Sequence, residues 1–300
     1  MVNNHLLILK INSNYSIMSL FYQQKTFIRN LINLCKECNA IALSIYNDYL
    51  QNDIDITYKE DDSPLTHADL EVNRHICNEL KKLETHSGQN ILIISEENKK
   101  DLYDNRQNYD WVWLIDPIDG TKEFIHKNGQ FTVNIGLCYK GKPVFGIAGI
   151  PVLYEIYYGC NGKGSYKIDE STMEETPIRV SSFDYTQSGL NIVCSNSHIN
   201  KQTKDYLKKF KHPNIKSYGS SIKILKVAEG SADIYPRIGL TSEWDTCASH
   251  AILIFAGGKM VNYNSGETIQ YNKENLLNPY FICYGQCDTI PPNRFILNNK

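Results

Sequence analysis

The sequence lacks the features that mark several specialised classes of protein. No run of apolar residues approaches the roughly 20 that a membrane-spanning helix needs, and there are no internal repeats or low-complexity segments. Charge of one sign is not in excess either, because 31 basic residues stand against 33 acidic ones and leave a formal net charge of −2. A transmembrane segment and a nucleic-acid polymer as partner are therefore not expected.

Cysteine is present, but without the regular spacing of a disulfide framework. The nine cysteines are odd in number, and the C-x-x-C pair Cys35 and Cys38 falls in a helical pattern with no second pair to complete a zinc site. Helix packing is the favoured interpretation of this pair, with a zinc or redox role as the alternative. Reduced thiols and a location in the cytoplasm are expected.

One stretch in the middle of the chain places two carboxylates close together. An apolar run containing Trp113 predicts a buried strand that ends at Asp116, and Pro117 and Gly120 then turn the chain. Asp116 and Asp119 are thereby expected on one side of a tight turn. Like charges so close repel each other, and the usual compensation is a shared proton or a hard cation. We favour the cation; an ordinary surface turn is the alternative.

Two further acidic clusters lie at the ends of predicted elements. Glu96 and Glu97 follow an apolar strand over residues 91–94, and Asp245 precedes a helical pattern. Four carboxylates from three distant segments are too many for one Mg²⁺ ion and suit two or three. These four are Glu96, Asp116, Asp119 and Asp245.

The pattern of elements predicts two domains after a terminal extension. Residues 1–20 are predicted to be a disordered extension, although translation starting at Met18 and membrane association through this segment both stay open. Residues 21–185 are predicted to form a metal-binding α+β domain that starts with an amphipathic helix from Phe21 to Tyr49. Within this domain, the period-two alternation at 131–137 and the segments 144–150 and 154–158 predict consecutive antiparallel strands in a meander. Strands and helices then alternate, which predicts a smaller α/β domain over residues 186–300 that carries the last metal ligand.

These motifs together carry a family resemblance. The pattern W-x-x-D-P-x-D-G-T ending at Thr121, the S-E-E at 95–97 and the W-D at 244–245 resemble the inositol monophosphatase superfamily of magnesium-dependent, lithium-sensitive phosphatases. The run D-G-T-K-E-F at 119–124 and E-W-D-T at 243–246 resemble, more narrowly, the 3'(2'),5'-bisphosphate nucleotidases of the CysQ type. The resemblance spans residues 27–258. It implies an α/β (α+β) fold, the layered αβαβα sandwich of sugar and nucleotide phosphatases.

The resemblance also implies the roles of the acidic residues. Asp116 bridges the metal ions, Asp119 and Asp245 hold the second ion, and Glu96 serves the first. The backbone carbonyl of Ile118 completes the first ion's ligands. Glu97 has a weaker claim, on a third and loosely held ion.

A second implied group activates the attacking water. Asp69 lies in a T-x-A-D pattern that resembles the family segment whose aspartate pairs with the threonine after D-G, here Thr121. The predicted catalytic residues are therefore Asp69, Thr121 and Glu96. The alternative for Asp69 is a first-turn carboxylate favoured by the helix dipole. Lys59 resembles a family lysine near the site, with a solvated surface charge as its alternative.

Substrate contacts are predicted at the turns around these acids. For Ser220, capping of the following helix by Ser220 or Ser221 is the alternative interpretation. Arg237 and Lys122 are candidates for binding a second phosphate. The predicted substrate-binding residues are Gly120, Thr121, Lys122, Gly219, Ser220 and Asp245.

The function implied by the resemblance is a Mg²⁺-dependent hydrolysis. Water would remove the 3'-phosphate of adenosine 3',5'-bisphosphate to give AMP and phosphate, which clears a by-product of sulfate activation in sulfur metabolism. The partner is thus a small nucleotide, and the enzyme is expected as a monomer or homodimer. One alternative is an inositol monophosphatase, against which Lys122 and Glu123 argue, since that enzyme usually has T-N there. A non-catalytic binding protein of the same fold is the other.

Overall fold

Helices cover one face of a large β-sheet in the N-terminal half of the chain. The computed structural model describes residues 25–52, 57–58, 64–87, 90–195 and 199–287. The predicted extension over residues 1–20, the last residues of the chain and Lys59 lie outside these ranges. Helix α1 (Lys25–Gln51) is followed by a two-stranded ribbon of β1 (Thr57–Tyr58) and β2 (Pro64–Leu65), and then by α2 (His67–Ser87).

The two helices pack through apolar stripes with a spacing of three and four residues. In α1 this spacing buries Leu31, Leu34 and Cys38, and in α2 it buries Ile76 and Leu80. The helix predicted from Phe21 to Tyr49 is confirmed over its described part. Cys35 and Cys38 are buried free thiols on the packed face, which agrees with helix packing for this pair.

A seven-stranded sheet in the order β3-β4-β5-β6-β7-β8-β9 follows. Strands β3 and β4 pair in parallel and all the other neighbours pair antiparallel, so the predicted meander is confirmed. The short helices α3 (Tyr103–Arg106) and α4 (Thr121–Ile125) flank β4. The strands are β3 (Leu92–Ser95), β4 (Trp111–Asp119), β5 (Thr132–Tyr139), β6 (Lys142–Ile150), β7 (Glu155–Cys160), β8 (Gly164–Asp169) and β9 (Glu174–Ile178).

Strand β4 is longer than predicted. The sequence places its end at Asp116, but β4 runs on to Asp119, with a shift in its pairing to β5 between these two residues. Pro117 lies in that shift, where its missing N–H costs no ladder hydrogen bond. The chain turns only at Gly120, whose φ of 93° lies in the left-handed region.

The C-terminal part of the described chain forms a five-stranded sheet in the order β11-β10-β12-β14-β13. Strands β10, β11 and β12 are parallel, whereas β14 pairs antiparallel with both β12 and β13. The last two strands were not predicted. The elements are β10 (Asn191–Ser195), α5 (Lys201–Leu207), β11 (Asn214–Tyr218), α6 (Ile222–Ala228), β12 (Ile234–Arg237), α7 (Glu243–Phe255), β13 (Lys259–Asn262) and β14 (Phe281–Tyr284).

Three apolar clusters join these elements into five layers. The first lies between α1, α2 and the large sheet, the second surrounds α6 and α7 between the two sheets, and the third lies between the small sheet and α5. The predicted αβαβα sandwich is confirmed. The predicted boundary at 185/186 falls between β9 and β10 and stays a prediction, because α7 contacts both sheets.

Helix α7 lies unusually close to the large sheet. A Cβ atom on Gly146 of β6 would lie 2.1 Å from the carbonyl oxygen of Ala248, and one on Gly136 of β5 would lie 2.7 Å from the Sγ of Cys247. Glycine at these positions thus allows the helix backbone to touch the sheet. This contact fixes the position of α7, which carries Asp245 in its first turn. Among the described helices, none is both long and apolar enough to cross a membrane.

Candidate active site

A cavity of about 300 Å³ opens where the two sheets meet α4, α6 and α7. It is lined by the five residues predicted as ligands of the first two ions but not by Glu97, and it is also lined by Lys223, a cation that the sequence analysis did not point to. The predicted site residues that line it are Glu96, Asp116, Ile118, Asp119, Gly120, Thr121, Lys122, Ser220 and Asp245. Gly219 directly precedes Ser220 in the chain but does not itself line the cavity.

Three carboxylates meet at one wall of the cavity. Glu96, Asp116 and Asp245 each offer an oxygen, and these oxygens lie within 4.8 Å of one another. They come from the end of β3, from β4 and from the first turn of α7. Asp245 is fixed in a capping box, because it accepts the N–H of Ser242 at 2.9 Å.

The electrostatics of this cluster are unfavourable without a cation. Burial, followed by repulsion from Glu96, raises the pKa of Asp116 well above its usual range. Burial, followed by repulsion from Asp119, does the same to the pKa of Asp245. The Oδ1 atom of Asp116 is buried and has no hydrogen-bond partner among the described residues. An acceptor left in this state is a ligand atom suited to a hard cation.

Asp119 lies beside the cluster and faces a different element. Its Oδ2 accepts the hydroxyl of Ser220 and the N–H of Ser221, each at 2.6 Å. Burial raises its pKa, and these hydrogen bonds act in the opposite direction. The structure thus brings Glu96, Asp116 and Asp245 into one group and places Asp119 next to it, hydrogen-bonded to the turn before α6.

The Ser220–Ser221 turn does not cap α6 as the alternative interpretation proposed. Ser221 occupies the N-cap position, but its side chain makes no capping hydrogen bond. Its hydroxyl instead donates to Asn134 at 3.0 Å, and Ser220 adopts a φ of 54°. Gly219 lets this turn pass close to the chain, because a Cβ there would lie 2.6 Å from the carbonyl oxygen of Gln130.

Asp69 and Thr121 are brought together from distant parts of the sequence. The Thr121 hydroxyl lies 3.3 Å from Oδ1 of Asp69 and equally 3.3 Å from the carbonyl oxygen of Ile118. Thr66 donates its N–H to Oδ2 of Asp69 at 2.8 Å and its hydroxyl at 2.5 Å. Asp69 also lies in the first turn of α2, as its alternative interpretation requires, and its catalytic role stays a prediction.

The pKa of Asp69 is raised to about 6, close to neutrality. Burial is the largest cause, the hydrogen bonds from Thr66 oppose it, and repulsion from Glu97 and Glu96 adds to it. A carboxylate with such a pKa can accept a proton at neutral pH and release it again.

Three cationic side chains line the same cavity, Lys122, Lys223 and Arg237, and the sequence analysis overlooked Lys223. Lys223 of α6 is 5% exposed, and its Nζ donates to the carbonyls of Tyr218 at 3.0 Å and Ser220 at 2.6 Å. Burial lowers its pKa to about 8, and the nearby Asp119 opposes that shift. A lysine inside the apolar run of α6 was the available signal. Arg237 donates from Nη2 to the carbonyl of Leu240 at 2.8 Å, while Lys122 is exposed at the rim.

The sequence and the fold both have close matches among known proteins. Residues 26–285 match the inositol monophosphatase family. The 3'(2'),5'-bisphosphate nucleotidase CysQ of Salmonella typhimurium is 36% identical over 255 residues, which cover 85% of this chain and 98% of that protein. The nucleotidase CysQ of Buchnera aphidicola is 38% identical over 249 residues, covering 81% and 86%. The crystal structure of CysQ from Bacteroides thetaiotaomicron has a TM-score of 0.74 at 35% identity, covering 88% and 98%.

Proposed function

The chain belongs to the inositol monophosphatase family, and we propose that it is a 3'(2'),5'-bisphosphate nucleotidase. It hydrolyses the 3'-phosphate of adenosine 3',5'-bisphosphate to AMP and inorganic phosphate. The observation that carries this function is one cavity that holds both the acidic Glu96–Asp116–Asp245 cluster and the cationic side chains of Lys223 and Arg237. The acidic cluster suits the metal ions that hydrolysis of a phosphate monoester requires. The two cationic side chains suit the second phosphate of a bisphosphorylated substrate.

The carboxylates fit a hard divalent cation. Their oxygens lie within 4.8 Å of one another, and the pKa values of Asp116 and Asp245 are raised by burial and by repulsion from neighbouring carboxylates, Glu96 and Asp119 among them. Glu96, Asp116 and Asp245 would hold Mg²⁺, with Asp119 and the Ile118 carbonyl as further ligands of a set of two or three ions. Bound Mg²⁺ stabilises negative charge on the phosphate and lowers the pKa of water.

Thr121 and Asp69 orient the attacking water in this proposal. Because the Thr121 hydroxyl donates toward Oδ1 of Asp69, its own lone pairs are left to accept a proton from water. Asp69 cannot rotate away, since Thr66 holds its other oxygen by two hydrogen bonds. The raised pKa of Asp69, about 6, suits it to receive the proton as the base of this pair. Glu96 supports the water from the other side of the cluster.

The substrate would lie across the cavity from the acids toward the small sheet. Gly120, Thr121 and Asp245 contact the scissile phosphate and the ribose, and Gly219 and Ser220 bound the nucleotide on the opposite side. The 5'-phosphate would bind Arg237 and Lys223, with Lys122 at the rim. Arg237 supports this assignment, because its Nε is buried without a hydrogen-bond partner among the described residues.

The proposed setting is the cytoplasm, and the proposed state is a monomer or homodimer. All nine cysteines are free thiols, and eight of them are buried, which is the state expected in a reducing compartment. Sedimentation of the purified chain would distinguish one copy from two.

Phosphate release with Mg²⁺ tests the function on three substrates. We expect kcat/KM to be highest for adenosine 3',5'-bisphosphate, lower for 3'-AMP, which lacks the 5'-phosphate, and lowest for inositol 1-phosphate. Arg237→Gln should lower the first value toward the second, because a charge-assisted hydrogen bond is lost. A preference for inositol 1-phosphate would contradict the nucleotide assignment while leaving the metal site in place.

A variant of Asp119 tests the acidic residues. Asp119→Asn should abolish turnover while the circular dichroism spectrum stays that of the wild type, because the amide can still accept from Ser220 and Ser221. Retained turnover would remove Asp119 from the site, and activity undiminished by a chelator would contradict the metal requirement altogether.

A further inference from the structure

We infer that Lys100 is a positioning residue that holds two metal-ligand segments together and so presets the site for Mg²⁺. This inference rests on the proposed function, because it concerns Glu96 and Asp245 as ligands. Neither the sequence motifs nor the family resemblance points to Lys100, which lies after the S-E-E motif in the loop leading to α3.

Lys100 contacts both segments with the same atom. Its Nζ donates a hydrogen bond to the backbone carbonyl of Glu96. The same Nζ lies 4.6 Å from the centre of the Trp244 ring, within the range of a cation–π interaction. Trp244 directly precedes Asp245 in the first turn of α7. One ammonium group therefore bridges the backbone of one ligand and the neighbour of another.

Such a bridge is needed because the two segments repel each other. Glu96 and Asp245 present carboxylate oxygens within 4.8 Å of each other, and like charges that close repel. Glu96 lies in the turn after β3, where its backbone N–H donates to the Ile115 carbonyl at 3.0 Å, so an outward movement that relieves the repulsion would have to come from its own carbonyl and side chain. The Lys100 bridge opposes that movement, because its hydrogen bond holds the Glu96 backbone.

The sign of the effect on Mg²⁺ affinity separates positioning from simple charge. Removing a positive charge near a cation site should strengthen Mg²⁺ binding by Coulomb's law. Removing a bridge that preorganises the ligands should weaken it, because binding must then also order the loop. The positioning role thus predicts a change opposite to the one that electrostatics alone predicts.

The chain offers a matched control in the adjacent residue. Lys99 is exposed, whereas Lys100 is partly buried, and both are lysines of the same loop. Lys100→Met keeps the apolar stem and removes the ammonium group. Lys99→Met makes the same change in net charge without touching the bridge. Lys100→Arg keeps both a hydrogen-bond donor and a cation that can lie over the indole ring.

The experiment is calorimetric titration of each metal-free variant with Mg²⁺ alone. We expect the dissociation constant of Lys100→Met to rise about five- to tenfold, as loss of a cation–π contact and a hydrogen bond would give. Lys99→Met should match the wild type, and Lys100→Arg should recover most of the affinity. In activity assays, the Mg²⁺ concentration for half-activation should rise for Lys100→Met, while KM for adenosine 3',5'-bisphosphate at saturating Mg²⁺ should not.

The Tm values of Lys100→Met and Lys99→Met in chelator are compared first, to check that both variants are folded. If they are equal, unchanged or tighter Mg²⁺ binding by Lys100→Met would overturn the inference. Should Lys100→Met fold poorly, Trp244→Leu removes the other half of the bridge and must weaken Mg²⁺ binding as well. Where both single variants fold, the double variant must lose less Mg²⁺ affinity than the sum of the two single losses. A wild-type protein that binds no Mg²⁺ would instead overturn the proposed function, and the inference with it.

Discussion

Replacing Asp116 by asparagine should stabilise the metal-free protein and at the same time abolish its activity. Asp116 is 2% exposed, and burial is the largest cause of its raised pKa. Among its charged neighbours, Glu96 raises the pKa most, followed by Asp119 and Asp245. Asparagine has almost the same shape but no charge. The variant therefore removes the repulsion without opening a cavity.

The size of the gain follows from the spacing of the carboxylates. Two unit charges 4.8 Å apart repel by about 3 kcal/mol at an effective dielectric constant of about 20. Partial protonation already relieves part of this in the wild type, so we expect a net gain of about 1 to 3 kcal/mol. For a chain of this size that corresponds to an increase in Tm of about 2 to 6 °C.

The gain should also grow with pH. The folded-state pKa of Asp116 is raised above its unfolded value, so folded wild-type protein retains a proton that the unfolded chain releases. The wild type in chelator therefore loses stability as pH rises from the unfolded pKa through the folded one. Asp116→Asn lacks that loss, and its advantage should be larger at pH 8 than at pH 5.

Calorimetric Tm values in chelator and in Mg²⁺ test this reasoning. Mg²⁺ should raise the Tm of the wild type but hardly that of Asp116→Asn, which has lost a central ligand. Asp110→Asn is the matched control, because Asp110 is a surface aspartate that is 59% exposed and forms an exposed ion pair with Lys140 at 3.5 Å, which contributes little to stability. A lower Tm for Asp116→Asn than for the wild type in chelator would refute the claim that these acids repel one another in the folded protein.

Three further outcomes are expected. Gly146→Ala should lower the free energy of unfolding by about 3 kcal/mol, because its Cβ would lie 2.1 Å from the backbone of α7. Gly239→Ala should not, because its Cβ would lie 3.8 Å from the Arg237 guanidinium, and urea unfolding measures both variants. His250 is buried and neutral, and burial lowers its pKa to about 3. The free energy of unfolding should therefore fall by about 2 kcal/mol as the pH falls from 6.5 to 5, because the unfolded chain binds a proton at this histidine in that range and the folded chain does not. His250→Asn should lack that share of the acid loss, and an unchanged slope of unfolding midpoint against pH would contradict the assignment. Lithium at millimolar concentration should inhibit phosphate release, and full activity in its presence would contradict the family's inhibition pattern for this chain.

The acidic residues could be predicted from sequence because each lies at the end of an element with a strong local signal. The apolar runs before Glu96 and Asp116 form β3 and β4, and the helical pattern after Asp245 forms α7. Residues at such ends emerge from the core at one edge, where their side chains meet. Alternation of apolar and polar residues likewise predicted the meander from β5 to β7.

The elements that escaped prediction depend on partners far away in sequence. Strand β14 pairs with both β12 and β13, and β13 pairs with β14, so each of the two depends on pairing with a strand elsewhere in the chain. Strand β4 continues past Asp116 because β5 supplies a pairing partner as far as Asp119. Local propensity carries no information about either neighbour, since β-structure depends on what lies alongside.

The turn before α6 shows the same limit at the level of single hydrogen bonds. Sequence rules assign Ser220 and Ser221 to capping, because a hydroxyl next to a helix start usually accepts a nearby backbone N–H. Asp119, from the other sheet, offers a buried carboxylate at 2.6 Å from both residues, and a charged acceptor makes the stronger hydrogen bond. The hydroxyl of Ser220 therefore donates to Asp119. The carbonyl of the same residue accepts a hydrogen bond from the Lys223 ammonium, which lies in the cavity lining. In the proposed function, the cation that would select a second phosphate is thus held by the residue that hydrogen-bonds Asp119, a proposed metal ligand, so one set of hydrogen bonds would connect metal binding with substrate choice.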